Sequence, residues 1–336
     1  MSARPALPFL LCAALAAAIA PGCGWLGGDE APKKKKGKKK AASEEPAEPQ
    51  VGADDPTARK PVRAGEGDAG TAEKLDNQVK KLIDAVPGAT PAKAAAVLTP
   101  HGGVKHSGPT AAEVWARVEV PPVVVILAPN HWNDGERLAV WTEGPWLVPG
   151  HALAVDAELT ARLRHHMPDL KPDRAAFGHH EVELLLPFLQ YKRPDVRLVV
   201  VAMRDNEKKH YPQTSVDEIT KLGAGLAAFL QELDASGTEH LLLMTTDLSH
   251  YVPQAKAQAD DTRLMDHIVR YDVEGLYQSV TTDKISICGE LPVSVGMDAL
   301  RRLGRPAMQW HTLGNNLHSS KKPDAVVGYP GAILWR

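Results

Sequence analysis

Three stretches of this chain deliver a histidine just past a run of large apolar residues. "AAAVLTPH" ends at His101, "VVVILAPNHW" carries His131, and "HLLLMTTDLSH" supplies Asp247 and then His250. Imidazole is the side chain best suited to bind a transition metal or move a proton near neutral pH. A carboxylate placed shortly before an imidazole adds a further ligand, an orienting partner or a proton relay. Each feature also has a plainer reading, since a histidine after a strand is commonly a loop residue and Asp247 can simply cap a turn. Three such ends in one chain point to a shared site.

A thiol belongs to the same set. The chain has 3 cysteines. Cys12 lies in an apolar N-terminal run and Cys23 just behind it, which leaves Cys288 without a partner in the folded part. Cys288 stands in "SICGELP", ahead of Pro292, and proline is favoured in the first turn of a helix. The thiol is therefore expected directly before a helix N-terminus, a place that lowers its pKa and favours the metal-binding thiolate. The alternative is a buried, inert small hydrophobe. Two imidazoles and a thiolate suit one copper, iron or zinc ion, with the thiolate inclining the set towards copper. A further candidate is "FGHHEVELLLPFLQY", where His180 and Glu183 share one helical face and Pro187 is expected to bend or break the helix.

The elements that must position these residues alternate. Strands are expected at 94–99, 123–128, 138–142, 198–203, 240–245 and 325–335. Helices are expected at 112–117, 157–165, 182–191, 216–233, 254–271 and 293–303. This pattern predicts a single α/β domain with a central mixed, largely parallel sheet flanked by helices. Such sheets bind ligands at the carboxyl ends of their strands, where the histidines lie. No Gly-rich phosphate loop is present, and the absence of H-E-x-x-H weighs against a zinc hydrolase.

The first residues carry other information. "MSARPALPFLLCAALAAAIAPGC" reads as a signal peptide over 1–23, and "IAPGC" resembles a lipoprotein box in which Cys23 carries lipid and holds the protein to a membrane. Residues 24–72 are rich in lysine, alanine and proline and predict a disordered tether, leaving 73–336 as the folded domain. The "KKKKGKKK" run can lie on anionic lipid, at roughly 1 kcal/mol per lysine. The expected location is exported and membrane-anchored, on the periplasmic or outer-membrane side. A net charge of -2 gives no footprint for nucleic acid.

In this order, "PHGGVKHSG", "LAPNHW", "HHEVELLLPFLQ", "TTDLSHY" and "SICGELP" resemble the Memo family, known in bacteria also as AmmeMemoRadiSam system protein B, over residues 99–335. The resemblance implies a fold similar to the class III extradiol ring-cleaving dioxygenases. It implies His101, His131 and Cys288 as metal ligands, Asp247 and His250 beside them, and His180 as the family's histidine ahead of the Leu-Pro-Phe stretch. It also implies iron or copper with redox or oxygen chemistry. The chain departs from the pattern at Val104-Lys105, at His179 and at Val252-Pro253, so a substrate does not carry over. An export signal also sits poorly with a cytoplasmic radical-enzyme partner. The expected function is a membrane-tethered metalloprotein holding one copper or iron ion, zinc being the weaker choice, and acting on a small molecule or on the metal itself. The alternatives are a ring-cleaving dioxygenase with Asp247 bound to Fe(II), and a non-catalytic protein that binds metal or peptide.

Overall fold

The computed structural model describes residues 52, 54–132, 134–204 and 214–336. The signal peptide expected at 1–23, and the tether as far as residue 51, lie outside the described residues. The compact unit spans Pro46–Arg336.

Its centre is four parallel strands in the spatial order Ala92–Thr99, His240–Thr245, Val123–Pro129, Arg197–Met203. Val326–Trp335 closes one side antiparallel to Ala92–Thr99, and Leu138–Val140 closes the other antiparallel to Arg197–Met203. The sheet is thus mixed and largely parallel, as the alternation of elements predicts. "VVVILAP" is buried at every position because helices cover both faces, so a central strand reads as an unbroken apolar run. On one face Leu98, Val125, Leu127 and Val201 pack with Leu226, Phe229, Val293 and Met297. On the other, Val97, Val124, Ile126 and Val200 pack with Leu75, Val79, Trp115 and Leu186. Alternate residues of each strand feed the two layers.

One contact on the first face matters for the site. The Glu290–Arg302 helix approaches the sheet so closely that a Cβ at Gly296 would come within 2.3 Å of Met244 Sδ. Glycine here lets the helix behind Cys288 settle directly on the strand that ends at Thr245.

Several local expectations need correction. Pro187 does not interrupt a helix: a 3-10 turn, Glu183–Leu185, leads into the helix Leu186–Lys192, where the proline sits in the first turn and its missing N–H is not needed. The helices Ala72–Asp84 and Val273–Thr281 and the hairpin of Trp146–Val148 with His151–Val155 were not anticipated. In Ala72–Asp84 only Leu75 and Val79 are buried, too thin an apolar stripe to announce a helix.

The largest correction concerns the tether. Residues 54–71 do not form a free linker; they pack on the domain. Arg59 joins the backbone of Trp146 in an isolated bridge and lies over its indole ring, 5.1 Å from the centroid. Its guanidinium donates to Phe177 O at 2.7 Å, to His179 O and to Glu183 Oε2 at 3.2 Å. Glu183 also accepts the amide N–H groups of Val62, at 2.8 Å, and Arg63, at 2.7 Å. The folded domain therefore begins well before residue 73. Its anchors here are polar, which is why the segment's composition suggested disorder.

Candidate metal centre

The three strand ends meet. Ala92–Thr99, His240–Thr245 and Val123–Pro129 are adjacent and parallel, so the residues that follow them emerge side by side at one edge of the sheet. They deliver His101, Asp247 and His131. Cys288 comes from the opposite direction, one residue before Gly289, the N-cap of the Glu290–Arg302 helix. Cys288 Sγ lies 3.2 Å from His101 Nε2, which lies 3.3 Å from His131 Nε2. Nitrogen and sulfur atoms bound to a single ion by bonds of about 2.0–2.3 Å stand roughly 3.3–3.6 Å apart. The donor atoms are already nearly so spaced.

The hydrogen bonds around His101 select its tautomer. The Thr245 hydroxyl donates its only proton to Thr99 O at 2.8 Å. At 3.0 Å from His101 Nδ1 it must then accept, so Nδ1 carries the proton and Nε2 keeps its lone pair for the centre. Thr245→Val keeps the volume and removes this anchor. It is expected to lower metal affinity about 10–100-fold while the protein stays folded, the size of effect typical of groups that orient a ligand. Titration against a chelator of known affinity measures it, and an unchanged dissociation constant would refute the role.

Burial sets the protonation states. His101 is held neutral by desolvation, reinforced by His131, His180 and His250 around it. Desolvation also lowers His131 to about 4. Both imidazoles are thus lone-pair donors at neutral pH. Desolvation, with the Asp247 charge nearby, pushes the Cys288 thiol well up, which corrects the lowered pKa expected of a thiol at a helix terminus. The Sγ does accept the Asp247 N–H at 3.0 Å, with the Thr246 hydroxyl 3.8 Å away, but loss of water outweighs these dipoles.

Asp247 is buried, and desolvation raises its pKa to about 7 despite amide donors from His101, at 3.0 Å, and Gly102, at 3.3 Å. Asp247, His250 and Cys288 form a second group with potential ligand atoms within 4.8 Å of one another. His250 is half-buried, with its pKa lowered by burial, and its amide donates to Ser286 Oγ at 2.9 Å. Gly102 permits this crowding, since a Cβ there would reach 2.8 Å from Tyr329 Cε1. His180 is not among the three grouped donors and lines a cleft of about 220 Å³ with Arg63, Gly103 and Leu184. Burial, with Arg63 next in effect, lowers its pKa to about 4. His180 and Glu183, expected to share a helical face, are divided in use because Glu183 is engaged by the arm at Arg59, Val62 and Arg63.

One residue of the site was overlooked in the sequence. Glu181 is 6% exposed, with Oε1 4.0 Å from His131 Nε2, and it sits between two histidines and a better-placed glutamate that drew attention away from it.

Comparison with known proteins is consistent with the geometry. The family model described as Memo-like protein matches residues 59–333. A MEMO1 family protein of Aquifex aeolicus (strain VF5) is 32% identical over 273 residues, covering 79% of this chain and 97% of that protein. A MEMO1 family protein of Pyrobaculum aerophilum is 30% identical over 243 residues, covering 71% and 83%. Among solved structures, an uncharacterized protein of Escherichia coli K12 aligns with 71% of this chain and 100% of its own at TM-score 0.46 and 15% identity, a likeness too slight to bear on fold or function.

Proposed function

The chain belongs to the Memo family, and on that footing we propose that it holds one copper or iron ion through His101, His131 and Cys288 for redox or oxygen chemistry. The carrying observation is the convergence of two neutral imidazole nitrogens and one sulfur, each 3.2–3.3 Å from its neighbour, at the carboxyl ends of the parallel strands. When bound, the ion supplies a change of oxidation state. The protein's own groups do the rest. His101 and His131 offer lone pairs without first losing a proton, and Cys288 gives up its proton as it becomes a ligand. Asp247, with a pKa of about 7 and its amide in contact with Sγ, is placed to take a proton, and half-buried His250 to pass it to solvent.

The ring-cleaving alternative needs Asp247 as an iron ligand and Cys288 as a bystander. Asp247 Oδ1 is engaged by two backbone N–H groups, whereas Sγ stands at ligand spacing from His101. These contacts favour the thiolate.

Elemental analysis and EPR of the full chain, purified without added metal, test the proposal. About one equivalent of copper or iron is expected. A folded protein that stays metal-free after reconstitution with each ion would overturn it.

Proton linkage gives a second expectation. The thiol is protonated at neutral pH because its pKa is raised, and the ion binds the thiolate, so binding releases about one proton. Affinity should therefore rise up to about tenfold per pH unit across neutral pH. Calorimetry in buffers of different ionisation enthalpy counts the proton, and a zero count contradicts thiolate ligation.

We further propose that Cys23 is lipidated and holds the protein to a membrane, on the strength of the apolar run and "IAPGC" that precede it. Cys23→Ala should then move the protein from the membrane to the soluble fraction. An unchanged membrane fraction would exclude a lipid anchor at that cysteine.

A further inference from the structure

The centre proposed above holds one anion, the Cys288 thiolate. We propose that Glu181 is its second anion, a carboxylate donor that joins the ion beside His131 and makes the site prefer divalent metals to Cu(I). The inference rests on the metal-centre reading and adds a residue and a selectivity to it.

The observation is a buried carboxyl group with one unsatisfied oxygen. Glu181 is 6% exposed, and its Oε1 has no hydrogen-bond partner. Buried carboxylate oxygens are ordinarily hydrogen-bonded, and one left bare destabilises the fold. Trp132 hydrogen-bonds the carboxyl group, but not at Oε1, and the other neighbours are committed elsewhere. The Arg59 guanidinium is taken by Phe177 O, His179 O and Glu183, and His179 Nε2 faces Asp134 Oδ2 at 2.9 Å. Glu183, two residues on, shows what a purely structural glutamate looks like here, since it collects the arm's amides and the arginine.

The bare oxygen instead faces the metal centre, 4.0 Å from His131 Nε2. That is too long for a hydrogen bond. Donors sharing one ion stand roughly 3.3 Å apart, so relative to His131 the carboxylate is about 1 Å short of a ligand's place. It stands outside the tight triad of His101, His131 and Cys288, and an ion held there draws it in. Asp247, another buried carboxylate at this end of the sheet, is less free because two amide N–H groups occupy its Oδ1.

Charge decides the selectivity. Two neutral imidazoles and a thiolate neutralise Cu(I) but leave a divalent ion with one uncompensated buried charge. Glu181 supplies the missing anion, and a carboxylate is a donor that harder divalent ions accept more readily than Cu(I) does. The triad alone suits copper(I), and the triad with Glu181 suits Fe(II) or Zn(II).

The test uses the full chain, wild type beside Glu181→Gln and Glu181→Ala. Affinities for Fe(II), Zn(II) and Cu(I) are measured by chelator competition, and the melting temperature is read without metal. Both substitutions are expected to weaken Fe(II) and Zn(II) about 10–100-fold, to leave Cu(I) unchanged, and to leave the metal-free melting temperature unchanged or higher. Two results overturn the proposal while leaving the metal centre standing. One is unchanged Fe(II) and Zn(II) affinity in both variants. The other is equal weakening for all three ions with a lower metal-free melting temperature, which marks a structural glutamate. A wild-type chain that takes up no ion overturns this proposal together with the reading beneath it.

Discussion

Cys288→Ser is expected to yield a folded chain whose metal affinity has fallen at least about 100-fold. Groups that merely orient a ligand contribute 10–100-fold, and Sγ, 3.2 Å from His101 Nε2, is the proposed donor itself. Serine offers a neutral oxygen on a shorter bond, does not ionise near neutral pH, and replaces the soft donor that holds copper. Stability without metal should change by no more than about 1 kcal/mol, because the hydroxyl can accept the Asp247 N–H that Sγ accepts now. Metal content measured beside a thermal melt separates the two effects. A serine variant that keeps its ion would show that sulfur is not a ligand, and one that melts far below wild type would show a thiol serving the core.

Glu183→Ala should be the most destabilising single change at this edge of the molecule, by about 3–5 kcal/mol. Its carboxylate is 1% exposed and paired with Arg59, itself 6% exposed, and it also ties the amides of Val62 and Arg63 to the domain. Without it a guanidinium is left buried with no paired carboxylate, only the carbonyl oxygens of Lys60, Phe177 and His179 to face, and two amides lose their acceptor. Arg59→Ala should act similarly, and the double variant should lose much less than the two single losses added, because the residues act as one unit. Urea unfolding of the four proteins measures this. A loss below about 0.5 kcal/mol in either single variant would mean the arm contributes nothing to the fold. The same numbers warn against beginning a shortened chain at residue 73, which discards Arg59 and leaves Glu183 bare.

The strands of the sheet were legible as apolar runs because both of its faces are covered, and the positions of His101, His131 and Asp247 were legible because each follows such a run. Cys288 before a helix was legible from Pro292. What escaped depends on the environment rather than on residue order. The thiol's pKa moves up because burial outweighs the helix terminus, and burial is not written in "SICGELP". Arg59 and Glu183 meet across 124 positions, so the arm's attachment has no local signature. Glu181 was hidden by a plausible pattern, the i, i+3 spacing of His180 and Glu183, which the arm's demand for Glu183 overrides. The edge strand Gln309–Asn315 is half-buried along most of its length and lacks the alternation that would have marked it.

The parallel order of the sheet also bears on when the ion can arrive during synthesis. His101 and His131 are 30 positions apart, but Cys288 is 187 beyond His101. A growing chain therefore has both imidazoles but not the Cys288 thiol until most of it has been made. No short stretch of the unfolded polypeptide can gather the three, because closing so long a loop is entropically unfavourable and nothing local rewards it. An ion held by these three residues could not nucleate this fold, and its uptake would report that the Glu290–Arg302 helix has docked. On the proposed centre, the compartment in which the chain finishes folding, through the metal pool it offers at that moment, would share with Glu181 and Cys288 the choice of ion.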